Sequence, residues 1–204
     1  MAFTPPHPQR TAVLFIECQN GILGASSALP ALAQDARPVI EKMARLAGGA
    51  RAAGAIVVHL TYAPVAGNRS SNHRTPLIRR IHPLLAQWHP GHPAVEPIPE
   101  IGVGANDIVL QRHTGISPTY GTETFRLLRN LGIDAVVIAG VSANIAVPLV
   151  AAQAADEDFD VFVVRDAIAG TPPEHAESML RNTLAFLATL CGTDELLAAW
   201  SAAG

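Results

Sequence analysis

Three places in this 204-residue chain set chemically capable side chains directly after short apolar runs. The first is Glu17, which follows Thr-Ala-Val-Leu-Phe-Ile and precedes Cys18, Gln19 and Asn20. A carboxyl group there is an anion beside a cation, an acid whose pKa burial has raised, or a strand-end charge reaching solvent. Cys18 alternates to the other face of the run, which assigns its thiol to the core. The second place is Gln111-Arg112-His113-Thr114-Gly115. Arg112 would make a strong, permanently charged pair with a carboxylate. His113 is of a residue type that carries protons in general acid–base chemistry. The sequence leaves open which of the two faces a site and which only fixes a loop. The third place is Gly140-Val141-Ser142-Ala143-Asn144-Ile145-Ala146, where an apolar run turns into a helical pattern. A helix N-terminus offers backbone N–H groups to an anion or a developing oxyanion, and Ser142 is the candidate N-cap.

Other chemistries find no signal. There is no HExxH or paired Cys/His spacing for zinc, no GxSxG elbow, no phosphate loop and no GxGxxG. Gly102-Val103-Gly104 precedes a strand, the wrong side for a dinucleotide. No metal and no cofactor is therefore expected. Cys18 and Cys191 lie far apart and read as reduced, buried thiols. The net charge of −3 comes without a basic run, which argues against a nucleic-acid partner. Neither a secretory leader nor a membrane-length apolar stretch stands out, so a cytoplasmic protein with no membrane partner is expected. Abundant Ala, Arg and Pro with a single lysine, Lys42, suggest a high-GC bacterial genome.

Positioning these groups requires a regular scaffold. Short β-branched runs at 11–17, 55–62, 106–111, 134–140 and 159–167 read as strands, with a sixth at Thr-Leu-Cys-Gly. Helical periodicity follows at 36–54, 122–132, 142–156 and 173–188, then in Asp-Glu-Leu-Leu-Ala-Ala-Trp. Apolar strands alternating with helices indicate an α/β fold. We expect a three-layer α/β/α sandwich with a six-stranded, mostly parallel sheet, forming one domain over 1–204. Ligands of such folds sit beyond the carboxyl ends of the strands, where all three reactive places fall. Residues 63–105, rich in Pro, His, Arg and Gly with one helix candidate around 76–88, read as a long loop or lid. His82, His89 and His92 are assigned to that loop's surface.

Ala-Val-Leu-Phe-Ile-Glu-Cys-Gln-Asn-Gly-Ile-Leu resembles the opening motif of isochorismatase-like and cysteine hydrolases, where an aspartate precedes x-Gln-Asn. The block from Asp107 through Gly140-Val141-Ser142-Ala143-Asn144-Ile145-Ala146 is similar to the family's centre. Phe159 to Gly170 and the segment Thr-Asp-Glu-Leu-Leu-Ala-Ala-Trp are similar to its last strand and helix. The order is kept over most of the chain outside 63–105. The resemblance implies an Asp–Lys–Cys triad, and this sequence has none of the three. Glu17 stands for the aspartate. Arg112 or His113 stands for the lysine, depending on the end from which one counts. Ala146 stands for the cysteine, and an alanine cannot form a thioester.

Members that cleave isochorismate, and their phenazine-pathway relatives, also resemble this chain in having a small residue at that position. Two expectations compete. One is an enzyme, a cysteine-independent hydrolase of a small metabolite that attacks a vinyl-ether or C–N bond by acid–base chemistry. Its catalytic residues would be Glu17, Arg112 and His113, with substrate contacts from Gln19, Tyr120, Ser142, Asn144 and Ala146. The other is a catalytically inactive family member that binds a small molecule or serves a structural role. The resemblance further implies a homodimer or homotetramer, with 116–120 and 63–105 as candidate contacts. It also implies a non-proline cis peptide at Val141-Ser142.

Overall fold

A computed structural model describes residues 4–71 and 73–202. Six strands form one sheet: β1 (Thr11–Ile16), β2 (Ile56–Tyr62), β3 (Ile108–Arg112), β4 (Ala135–Val141), β5 (Asp160–Ala169) and β6 (Thr189–Cys191). Their order across the sheet is β3-β2-β1-β4-β5-β6, and every pairing is parallel. The helices are α1 (Asn20–Leu23), α2 (Pro30–Ala53), α3 (Pro76–Ile81), α4 (Thr124–Asn130), α5 (Ala146–Asp156), α6 (Pro173–Met179), α7 (Ala185–Leu187) and α8 (Thr193–Ala202).

β1 is buried along its whole length because helices cover both faces of the sheet. Val13 and Phe15 face Met43 and Leu46 of α2 and Trp200 of α8. Ala12, Leu14 and Ile16 face Leu128 of α4, Val150 of α5 and Leu184. Strand alternation thus divides the core into two layers, one on each side of the sheet. No helix among the described residues is long and apolar enough to cross a membrane.

Three expectations are revised. α2 begins at Pro30, earlier than 36, and carries Pro38 inside it. Pro38 is exposed, so water can reach the carbonyl left without a donor one turn back. The helix stops at Gly54, whose φ of 81° supplies a left-handed cap. α5 begins four residues after Ser142, so residues 142–145 form a turn of their own. The helix expected over 173–188 is interrupted by a π-helical turn at Leu180–Leu184.

Residues 63–105 pack more tightly than a surface loop. α3 is capped by Thr75, whose hydroxyl accepts from Ile78 N, and it runs into a 3-10 turn at His82–Leu85. Ile78, Ile81, Leu85, Trp88, Val95, Ile98 and Ile101 are all buried. Backbone bonds from Asn20 N to Glu96 O (2.9 Å) and from Ile98 N to Cys18 O (3.0 Å) tie the segment to the end of β1.

Candidate active site

The strand order reverses between β1 and β4, and the register Ile16↔Gly140 sets their carboxyl ends side by side. Glu17 and residues 142–146 are therefore brought together by the sheet itself. Gly140 permits the contact. Its φ is 108°, and a Cβ there would lie 2.3 Å from Ile16 O. The Val141–Ser142 peptide is cis. β3 lies two strands from β1, beyond β2, with Arg112 opposite Tyr62. The Arg112 guanidinium crosses the Tyr62 ring, 4.3 Å from its centroid, and reaches Glu17.

A cleft of about 450 Å³ opens at these strand ends. Its polar lining includes Glu17, Arg112, Ser142, Asn144 and Thr171. Arg112 Nη2 donates to Glu17 Oε1 and to Ile116 O (3.2 Å). The two side chains are only 9% and 16% exposed. Arg112 Nη1 is buried without a hydrogen-bond partner. Burial pushes the Glu17 carboxyl above the usual carboxylate range, and the Arg112 charge pulls it only part of the way back. Glu17 also holds a φ of 52°, unusual outside glycine, while its N–H is bonded to Leu60 O (2.8 Å). A non-glycine residue in that region stores of order 1–3 kcal/mol, and surrounding structure must hold it there.

Ala146 is the first residue of α5 and presents its methyl group to the cleft. Ser142 lines the cleft but does not cap the helix with its hydroxyl. The N-cap position belongs to Ile145, and Ser142 contributes its carbonyl, which accepts from Val147 N (3.1 Å) and Ile145 N (3.2 Å). Asn144 also borders the cleft, with its amide engaged on both sides. Nδ2 donates to Thr171 O (2.7 Å), and Oδ1 accepts from Thr171 N (3.1 Å). Thr171 in turn donates to Asp35.

Three candidates lie elsewhere. His113 follows Arg112 and projects from the opposite side of the strand. It is exposed, and Nδ1 donates to Ala63 O (2.7 Å), outside the cleft lining. Of the two, Arg112 lines the cleft and His113 does not. Gln19 is fully buried, and both ends of its amide are bound. Oε1 accepts from Tyr62 N (2.7 Å), and Nε2 donates to Tyr62 O (3.0 Å) and Ala94 O (3.1 Å). It fastens β2 and the 63–105 segment to β1 and has no amide atom left for a substrate. Tyr120 is 81% exposed and does not line the cleft. Cys18 is buried with Sγ 3.8 Å from Met43 Sδ, and burial raises its thiol pKa, so it is core.

Most residues not anticipated are apolar, beside Arg80 and Thr171. Leu77, Ile81, Leu84, Leu85 and Trp88 form one wall of the cleft. Their signal was present in Pro-Leu-Ile-Arg-Arg-Ile-His-Pro-Leu-Leu, where apolar residues recur at 77, 78, 81, 84 and 85 with helical spacing. Among the described residues no three His, Cys, Asp or Glu side chains gather as metal ligands would.

The fold is shared widely. A cysteine hydrolase from Pseudomonas syringae pv. phaseolicola 1448A superposes with a TM-score of 0.83 at 19% identity, covering 99% of this chain and 97% of that one. N-carbamoylsarcosine amidase from Thermoplasma acidophilum superposes with a TM-score of 0.71 at 26% identity, covering 91% and 98%. An uncharacterized isochorismatase family protein of Escherichia coli O157:H7, YecD, is 29% identical over 107 residues, 52% of this chain and 53% of that protein. The chain spans about half the length of the curated relatives it matches. The isochorismatase domain model matches residues 11–195, from the first residue of β1 into α8 and across every strand of the sheet, and the chain belongs to the isochorismatase family.

Proposed function

We propose that the protein is an isochorismatase-family hydrolase that works without a cysteine nucleophile, by acid–base chemistry on a small metabolite. The observation that carries this reading is a buried carboxyl group with a raised pKa, lining a cleft in which the helix opposite begins with a methyl group, Ala146. A carboxyl group whose pKa burial raises holds its proton more tightly than an ordinary one and can give it to a substrate. With a vinyl ether, Glu17 protonates the alkene carbon and water adds to the resulting oxocarbenium carbon. The hemiketal then separates into an alcohol and a carbonyl product, and the proton lost by the attacking water restores Glu17. A C–N bond is the alternative target, in keeping with a structural neighbour named as an amidase. Arg112 clamps an anionic group of the substrate.

Glu17→Gln keeps the shape and removes the proton. It should lower turnover by roughly 100-fold or more, as loss of a general acid does. Wild-type rates from that variant would refute the assignment. A second reading, a catalytically inactive binding protein, is favoured by one contact, the direct Arg112–Glu17 ion pair, which opposes proton donation. A panel of isochorismate-, amide- and ureide-type compounds separates the two. Thermal stabilisation without turnover supports the second reading. The protein is further proposed to be cytoplasmic and to assemble as a homodimer or homotetramer. Its ligand is a small molecule, with neither nucleic acid nor a membrane as partner.

A further inference from the structure

The chemistry of the cleft is lopsided. Its charged groups are Glu17, Arg112 and Arg80, so positive charge exceeds negative even when Glu17 is ionised. Arg112 lines the cleft, and its buried Nη1 has no acceptor among the described residues, so the guanidinium keeps unused donor capacity. The opposite wall is apolar over a long stretch. α3 and the turn after it present Leu77, Ile81, Leu84 and Leu85, and Trp88 closes the row. Arg79 is turned onto Arg74 O (2.7 Å), outside the cleft lining, and Arg80 is the one charged side chain that this segment adds to the lining. Leu84, 58% exposed, leaves a large apolar surface at the cleft. A volume of about 450 Å³ is in the range that buries most of a drug-sized molecule.

We infer that the ligand of this cleft is an amphiphilic monoanion, a carboxylate held by Arg112 and carried on an extended apolar body that lies along Leu77, Ile81, Leu84 and Trp88. This deepens the hydrolase reading and rests on its placement of the site, but not on its chemistry. A short polar acid would leave the apolar wall wet. A neutral apolar molecule would leave Arg112 Nη1 without an acceptor and the excess positive charge of the cleft unbalanced.

The test is a binding series on the wild-type protein, read by calorimetry and thermal shift, with butanoate, hexanoate, octanoate and decanoate. Octanamide serves as the neutral match. Affinity should rise about fourfold per added methylene until the wall is covered, and octanoate should outbind octanamide. Arg112→Met should abolish the preference for octanoate over octanamide while keeping the chain-length dependence. Leu84→Asn, at an exposed position where folding is not at stake, should flatten the chain-length dependence and keep the charge preference. Affinity independent of chain length overturns the inference, as does absence of binding across the series. Preference for octanamide over octanoate in the wild type overturns it too. None of these readouts needs turnover. A series that binds as expected beside a Glu17→Gln protein that turns substrate over at the wild-type rate would remove the hydrolase reading alone.

Discussion

Asp107 immediately precedes β3, and its carboxylate is shared by three donors. Arg51 Nη2 lies at 2.7 Å, Gly104 N at 2.9 Å and His59 Nε2 at 3.0 Å. Burial alone would raise its pKa, but those hydrogen bonds and the Arg51 charge bring it down to about 2. His59 is displaced too. Burial lowers its pKa, against the pull of Asp107, and Nε2 is the ring nitrogen that meets the Asp107 carboxylate. Folded Asp107 binds its proton more weakly than an unfolded aspartate at about 3.9. Its contribution is therefore complete above that value and disappears as pH falls toward about 2. The unfolded chain also outbinds folded His59 for protons below about 6.5, so stability falls with pH there as well. Asp107→Asn should cost roughly 1–3 kcal/mol at pH 7 by urea unfolding. The gap from wild type should narrow between pH 4 and 2. An equal gap at pH 7 and pH 2.5 would show that the carboxylate's charge contributes nothing. Glu17 presents the opposite balance, with one cation and no backbone donor to its carboxylate among the described contacts, so burial prevails.

At the scale of elements, the meeting of β1 and β4 decides whether there is a site. Gly140 sits beside Ile16 with no room for a side chain, at a φ that L-residues rarely adopt. Gly140→Ala should force the strands apart where Glu17 departs. We expect a loss of at least about 2 kcal/mol in urea unfolding, together with a weakening of octanoate binding larger than the stability change alone explains. A variant with the wild-type midpoint would mean that the strands separate freely at this point. Strands of this kind are legible in sequence because both faces are buried, so their apolar runs are continuous and short. β1, β2 and β4 were legible to within a residue at each end. Side-chain direction at the strand ends was less so. Arg112 and His113 both fit the same motif, and only the pairing of β3 with β2 decides between them. Gln19 reads as a substrate contact in sequence because its actual partners, Tyr62 and Ala94, are remote in the chain. The start of α5 was misplaced because a serine before an apolar run looks like a cap, while here the turn of residues 142–145 intervenes. The apolar wall on α3 went unassigned because its periodicity lies in a Pro- and His-rich stretch that reads as loop.

The whole molecule leaves one question at its surface. Tyr120 is 81% exposed, at the end of the 116–120 loop, and Phe186 is 84% exposed on α7. Isolated apolar side chains on a surface need no explanation, but the Tyr120 loop is joined to the site. Ile116 in the same loop lines the cleft, and its carbonyl accepts from Arg112. If subunits pack on this loop, as proposed, assembly holds Arg112 in place from behind. Burial of a tyrosine at the centre of such a contact often carries about 2 kcal/mol or more of the association energy. Light scattering should then find the wild-type protein as a dimer or tetramer, and Tyr120→Asp should shift it to a smaller species at equal concentration. The same variant should bind octanoate more weakly, because the loop that positions the guanidinium is released, and raising the protein concentration should restore both assembly and affinity. A wild-type protein that remains monomeric at tens of micromolar would remove Tyr120 from any such role. An oligomer insensitive to Tyr120→Asp would move the contact elsewhere, with the unpartnered Phe186 of α7 the next side chain to substitute.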